Sequence, residues 1–134
     1  MRTAIIAVDF DGILIEDGHW PGIGPEVPGA IAGVNALHKS GHCIIINSCR
    51  VGEAEANMIR WLIANNVKFC HINRNCVKRQ IYYKTDCRKI SADIYIDDKN
   101  LCFILNPLDW ITIVGFVIGK FGGNIERDCE FMVE

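Results

Sequence analysis

Short unbroken apolar runs alternate along this chain with stretches whose apolar residues recur every three or four positions. The first run, over 3–8, is rich in β-branched side chains and predicts a strand buried on both faces. It stops at Asp9-Phe10-Asp11-Gly12, and a Gly- and Pro-rich loop follows over 17–28. Pro28 suits a helix first turn; Ala30, Ile31, Val34 and Leu37 then fall at helical spacing, and Ser40-Gly41 stops the helix. A second buried strand, 43–46, ends in Asn47-Ser48-Cys49-Arg50. The next amphipathic helix, 53–65, carries Ala54, Met58, Trp61 and Leu62 on one face. A third strand is expected over 67–72. The segment 73–85 is polar, basic and low in helical period. A fourth apolar strand over 92–96 ends in Asp97-Asp98, 101–105 reads as a short fifth strand, and Pro107 opens a last helix that Gly122-Gly123 closes. The remaining tail is mixed in charge and reads as peripheral.

Strand–helix alternation of this kind predicts an α/β fold: a single domain over 1–134, with a mostly parallel central sheet covered on both faces. In such open sheets, ligands sit beyond the carboxyl ends of the strands. The chain puts its chemistry there: Asp9 and Asp11 after the first strand, Ser48 after the second, Asp97 and Asp98 after the fourth. Two acids at i and i+2 of a strand end project from the same side. Their mutual repulsion falls sharply if a divalent cation sits among them, and hard oxygen ligands without thiolates suit Mg²⁺. Asp9 would then be both metal ligand and nucleophile in phosphoryl transfer. Ser48 would donate to a phosphoryl oxygen, and Lys89, just ahead of the fourth strand, would neutralise another. Asp11 would protonate the leaving alkoxide and then deprotonate the attacking water. Arg50 has two readings, a contact to substrate phosphate or an ion pair with an acid such as Glu53.

Composition narrows the class. The chain has 134 residues, half of them hydrophobic, which is enough to bury a core. A net charge of -2 supplies no general pull toward nucleic acid or acidic membranes. The apolar run 110–118 contains Thr112 and Gly115 and is about half the ~20 residues of a spanning helix. The apolar start, stopped by Asp9, is too short for a signal peptide. Seven cysteines, an odd count with no CxxC pair, read as reduced thiols of a soluble cytoplasmic protein. Cys70, His71, Cys76 and Cys87 fit no common zinc spacing.

The ordered set Asp9-Phe10-Asp11-Gly12-Ile13, Ser48, Lys89 and Ile96-Asp97-Asp98 resembles the four motifs of the haloacid dehalogenase superfamily. It looks closest to small phosphatase-like members of the Bacteroides hypothetical-protein type. The stretches Trp20-Pro21-Gly22-Ile23-Gly24 to Pro28 and Arg88 to Asp93 are similar too, and the resemblance spans 5–118. It implies a three-layer Rossmann-like sheet ordered 5-4-1-2-3. Asp9 would be nucleophile and magnesium ligand. Asp11 would be acid/base, with its carbonyl on the metal. Ser48 and Lys89 would hold the phosphoryl group, and Asp97 or Asp98 would complete the metal site. The chain departs from the pattern with Ile13, where many members have Thr or Val, and in lacking room for a cap domain after either the first or the third strand. An open site favours a large phosphorylated substrate, or closure by a partner subunit such as a second copy of the chain.

Simpler readings stand beside these. Asp97-Asp98-Lys99-Asn100 alone is an ordinary turn. Ser48 alone is a helix cap. Lys84 competes with Lys89 for the phosphate. The six basic residues between Arg74 and Lys89, against Asp86 alone, are a solvated loop or an anionic-substrate rim. Trp61 and Trp110 read as core, and Trp20 as the tryptophan placed to touch substrate. The rival to an enzyme is a non-catalytic binding module of the same fold, docking a partner protein or nucleic acid. A phosphate-accepting receiver domain would need a lone Asp ending a middle strand, which the second and third strands lack.

Overall fold

The computed structural model describes residues 3–123; Cys129 and the rest of the C-terminal tail lie outside the described residues. Four parallel strands form one sheet in the order β3-β2-β1-β4. They are β1 (Ile5–Val8), β2 (Cys43–Ile46), β3 (His71–Ile72) and β4 (Ile94–Ile96). The helices are α1 (Ala30–Lys39), α2 (Gly52–Ala64), α3 (Val77–Tyr83), α4 (Leu101–Leu105) and α5 (Trp110–Phe121).

Every residue of β1 and β2 is buried, as their unbroken apolar runs require. Side chains alternate between faces, and the core divides accordingly. Ile6, Val8, Ile44 and Ile46 pack with Val34 and Leu37 of α1, Met58 and Leu62 of α2, and Trp110, Ile113 and Val117 of α5. Ile5, Ala7, Cys43 and Ile45 pack with Cys70, Cys76 and Ile90 on the other face. Trp110 anchors α5: its indole N–H donates to Ile13 O at 3.1 Å. It lies so close to α1 that a Cβ on Gly33 would come within 2.5 Å of its ring. His42 joins the approach to β1 to the end of α5, accepting from Ala4 N through Nδ1 at 3.0 Å while its Nε2 lies 2.6 Å from Gly122 O.

Three expected elements differ. Residues 101–105 form helix α4 rather than a fifth strand, so the described sheet has four strands and the order 5-4-1-2-3 is not reproduced in full. The cause is local: Asn100 caps the segment, its side chain accepting from Cys102 N at 3.0 Å. The third strand shrinks to two residues, because Val67 N bonds back to Leu62 O and only His71 and Ile72 pair in register with β2, flanked by bonds from Cys70 N to Ile44 O and from Asn73 N to Ile46 O. Within 73–85 the chain forms α3, which buries no residue and therefore leaves no amphipathic stripe to read. Cys49, Cys87 and Cys102 are free thiols, whereas Cys76 is disulfide-bonded, a departure from the all-reduced expectation. Among the described residues no helix is long and apolar enough to cross a membrane.

Candidate active site

The register of the sheet builds the site. Val8 pairs with both Ile46 and Ile96, and Ile46 pairs with Ile72. The residue after each strand, namely Asp9, Asn47, Asn73 and Asp97, therefore stands in one row across the carboxyl edge. Asp9 N, Asn47 N and Asn73 N still donate to Ile96 O, Val8 O and Ile46 O, so the row is held by the sheet's own ladder.

Asp9, Asp97 and Asp98 each offer a carboxylate oxygen, and these oxygens lie within 4.8 Å of one another. Asp9 is half-buried and takes one hydrogen bond from Phe10 N at 2.8 Å. Burial raises its pKa, the Phe10 amide opposes that, and the neighbouring charges of Asp97 and Asp98, with a hydrogen bond that protonated Asp9 donates to Asp98, raise it further, to about 8. Alone, this cluster holds a proton near neutral pH. The three carboxylates could together hold a divalent cation, which would remove the reason for it.

Gly12 explains how Asp98 comes so near. Its φ is 87°, and a Cβ there would stand 2.1 Å from Asp98 Oδ2. The glycine is thus required twice, for the left-handed turn and for the carboxylate lying against it. Lys99, absent from the sequence-based site, lies 3.6 Å from Asp98 Oδ2 and 3.8 Å from Asp17 Oδ2, and is the lysine that lines the acid cleft. That cleft is about 340 Å³ and also includes Asp11, Trp20, Ser48 and Cys49.

Ser48 is at the cleft as expected, but not as a helix cap: Val51 is the N-cap of α2, and Ser48 Oγ accepts from Arg50 N at 3.1 Å. Asn73 holds the Ser48 backbone at both ends, accepting from its N–H at 2.8 Å and donating to its C=O at 2.9 Å. The sequence signal for Asn73 was its position just after a strand. Lys89 lies outside the acid cleft. Its ammonium sits 5.5 Å from the Tyr95 ring centre, in an adjoining hollow that shares Asp97 and Lys99 with the cleft. Lys84 is exposed at the end of α3. Within the basic segment, Arg79 is committed to Ser91 Oγ at 2.6 Å and Asp93 Oδ1 at 3.2 Å.

Arg50 requires a correction. It is fully buried, and both its sequence readings, phosphate contact and Glu53 pairing, give way to a fork on Asp11. Nε donates to Asp11 Oδ2 at 2.8 Å and Nη2 to Oδ1 at 2.7 Å. Nη2 also donates to Gly22 O, and Nη1 to Pro21 O and Ala54 O, at 2.7, 3.0 and 3.2 Å. All five guanidinium N–H groups are thereby engaged, which leaves none for a phosphate. The residue instead fixes Asp11 and ties the 20–22 loop to α2. A buried cation was not legible from sequence because its partners come from three separate segments.

Along β4, α4 and α5 an apolar groove of about 400 Å³ touches the acid cleft only at Asp97 and brings no further acid.

No protein-family model matches the chain, and no curated protein does. A solved structure described as that of a conserved protein from Bacteroides thetaiotaomicron is similar at 32% identity. The likeness covers 89% of this chain and 93% of that one, with a TM-score of 0.77.

Proposed function

The chain belongs to the same family as that Bacteroides protein, and from this premise and the site we propose that it is a magnesium-dependent phosphohydrolase. In this reading it is a capless member of the haloacid dehalogenase superfamily. The observation that supports it most is the meeting of Asp9, Asp97 and Asp98 at one strand edge, with Asp11, Ser48 and Lys99 around the same cleft.

Asp9, Asp97 and Asp98 would hold the ion, with the Asp11 carbonyl completing its protein ligands. Bound Mg²⁺ would supply the positive charge that keeps these carboxylates ionised and offsets that of the phosphoryl oxygens. Asp9 attacks phosphorus through a carboxylate oxygen, forming an aspartyl-phosphate as the ester oxygen departs. Asp11 gives that oxygen a proton, then takes one from the water that attacks the aspartyl-phosphate. Because Arg50 engages both Asp11 oxygens, the side chain is held in one orientation at the cleft that it lines. Ser48 donates to a phosphoryl oxygen, and Lys99 joins or replaces Lys89 as the neutralising cation.

A panel of phosphomonoesters, assayed with Mg²⁺ and with EDTA, tests the reading. Turnover should need the metal and vanish in Asp9→Asn. Magnesium-dependent hydrolysis retained by Asp9→Asn would rule out the covalent route. No turnover on any ester, with salt-sensitive oligonucleotide binding instead, would favour the non-catalytic module.

A further inference from the structure

The loop between β1 and α1 is built to hold one aromatic side chain at the mouth of the acid cleft. Trp20 lines that cleft yet remains 54% exposed, a large apolar surface left in water. One face of its indole rests on the Arg50 guanidinium, whose carbon is 5.2 Å from the ring centre. Arg50 is fully buried and cannot drift, since it stands on the Phe10 ring at 5.1 Å and its donors are fixed by Asp11, Ala54 and the two carbonyls that follow Trp20. Asn57 adds a second bond to Pro21 O at 2.9 Å. On the other side of the turn, Gly24 sits where a Cβ would meet Glu16 O at 2.6 Å, so the loop closes tightly on itself.

The same arginine thus sets two things at once: the direction of Asp11 and the plane of Trp20. An aromatic ring pinned on one side and open on the other is a stacking platform whose ordering cost has been met in advance. We propose that Trp20 selects phosphomonoesters whose leaving group carries an aromatic plane, a nucleobase or an aryl ring, by stacking on it while the phosphoryl group lies among the acids. This deepens the phosphohydrolase reading and rests on it for the catalytic consequence, but the stacking itself is a binding property that can be measured separately.

The test compares wild type, Trp20→Ala and Trp20→Phe on a nucleoside 5′-monophosphate, phenyl phosphate and glycerol 2-phosphate, all with Mg²⁺. The readout is the preference in kcat/KM for each aromatic ester over the glycerol ester, which cancels intrinsic leaving-group differences when variants are compared. The preference should fall ~10-fold in Trp20→Ala and largely return in Trp20→Phe. Loss for the nucleotide alone would assign the platform to a base, and loss for both to any aryl plane. Calorimetric binding of the same three compounds to the Mg²⁺-loaded protein supplies the independent arm. If no ester turns over but aromatic compounds bind more tightly in a Trp20-dependent manner, the hydrolase reading fails and the platform stands. If turnover or binding shows the same aromatic preference with and without Trp20, the platform is overturned.

Discussion

Removing the charge of Asp9 should stabilise the metal-free protein. The three acidic oxygens lie within 4.8 Å of one another, and at an effective dielectric of about 20, unit charges at that distance repel by about 3 kcal/mol per pair. The Asp9 pKa is lifted from 3.8 to about 8 chiefly by burial, with this repulsion adding to it, and removing the charge relieves both. Because the cleft is open to solvent on one side, about 2–3 kcal/mol is a fair expectation after screening. The sign follows from proton counts. Between pH 3.8 and about 8 the folded chain binds more protons at Asp9 than the unfolded chain does, so this contribution is full at low pH and is lost as pH rises. Urea denaturation in EDTA from pH 4 to 9 should therefore show Asp9→Asn nearly level with wild type at the acid end and more stable by about 2–3 kcal/mol at pH 8. Adding Mg²⁺ at pH 8 should raise wild-type stability and have a much smaller effect on the variant. An Asp9→Asn protein that is no more stable than wild type in EDTA at pH 8, or that gains as much from Mg²⁺, would refute the crowded-carboxylate account.

Gly12→Ala forces a Cβ into Asp98 at a φ of 87°, so its Mg²⁺ affinity by calorimetry should drop at least ~10-fold while the fold persists by circular dichroism. Arg50→Met strands a half-buried Asp11 and frees the 20–22 loop; it should cost about 3–5 kcal/mol in denaturation, and Arg50→Lys should recover only part, because an ammonium cannot reproduce the fork. Trp110→Phe deletes the bond to Ile13 O and leaves a buried carbonyl unpaired, so it should destabilise by about 1–3 kcal/mol with kcat little changed.

What the sequence determined by itself were the parts governed by local rules. The unbroken apolar runs identified β1 and β2, the helical spacing identified α1 and α2, and the polar residues that stop each run marked the strand ends where Asp9, Ser48 and Asp97 appear. Trp110 fell in the core as its spacing implied, and Trp61 packs half-buried against it. Local capping by Asn100 overrode the apolar run at 101–105, and a helix with no buried face left no pattern at 77–83. Only the tertiary structure decided which charges meet. Arg50 reaches Asp11 across 39 positions of chain, and Gly12 lies against Asp98, although neither pair shares a local motif. Periodicity records which face of an element seeks water or oil; it carries no information about the distance between two polar groups on different elements. That distance is set by register and packing, and here it turned an expected phosphate ligand into the brace of the acid beside it.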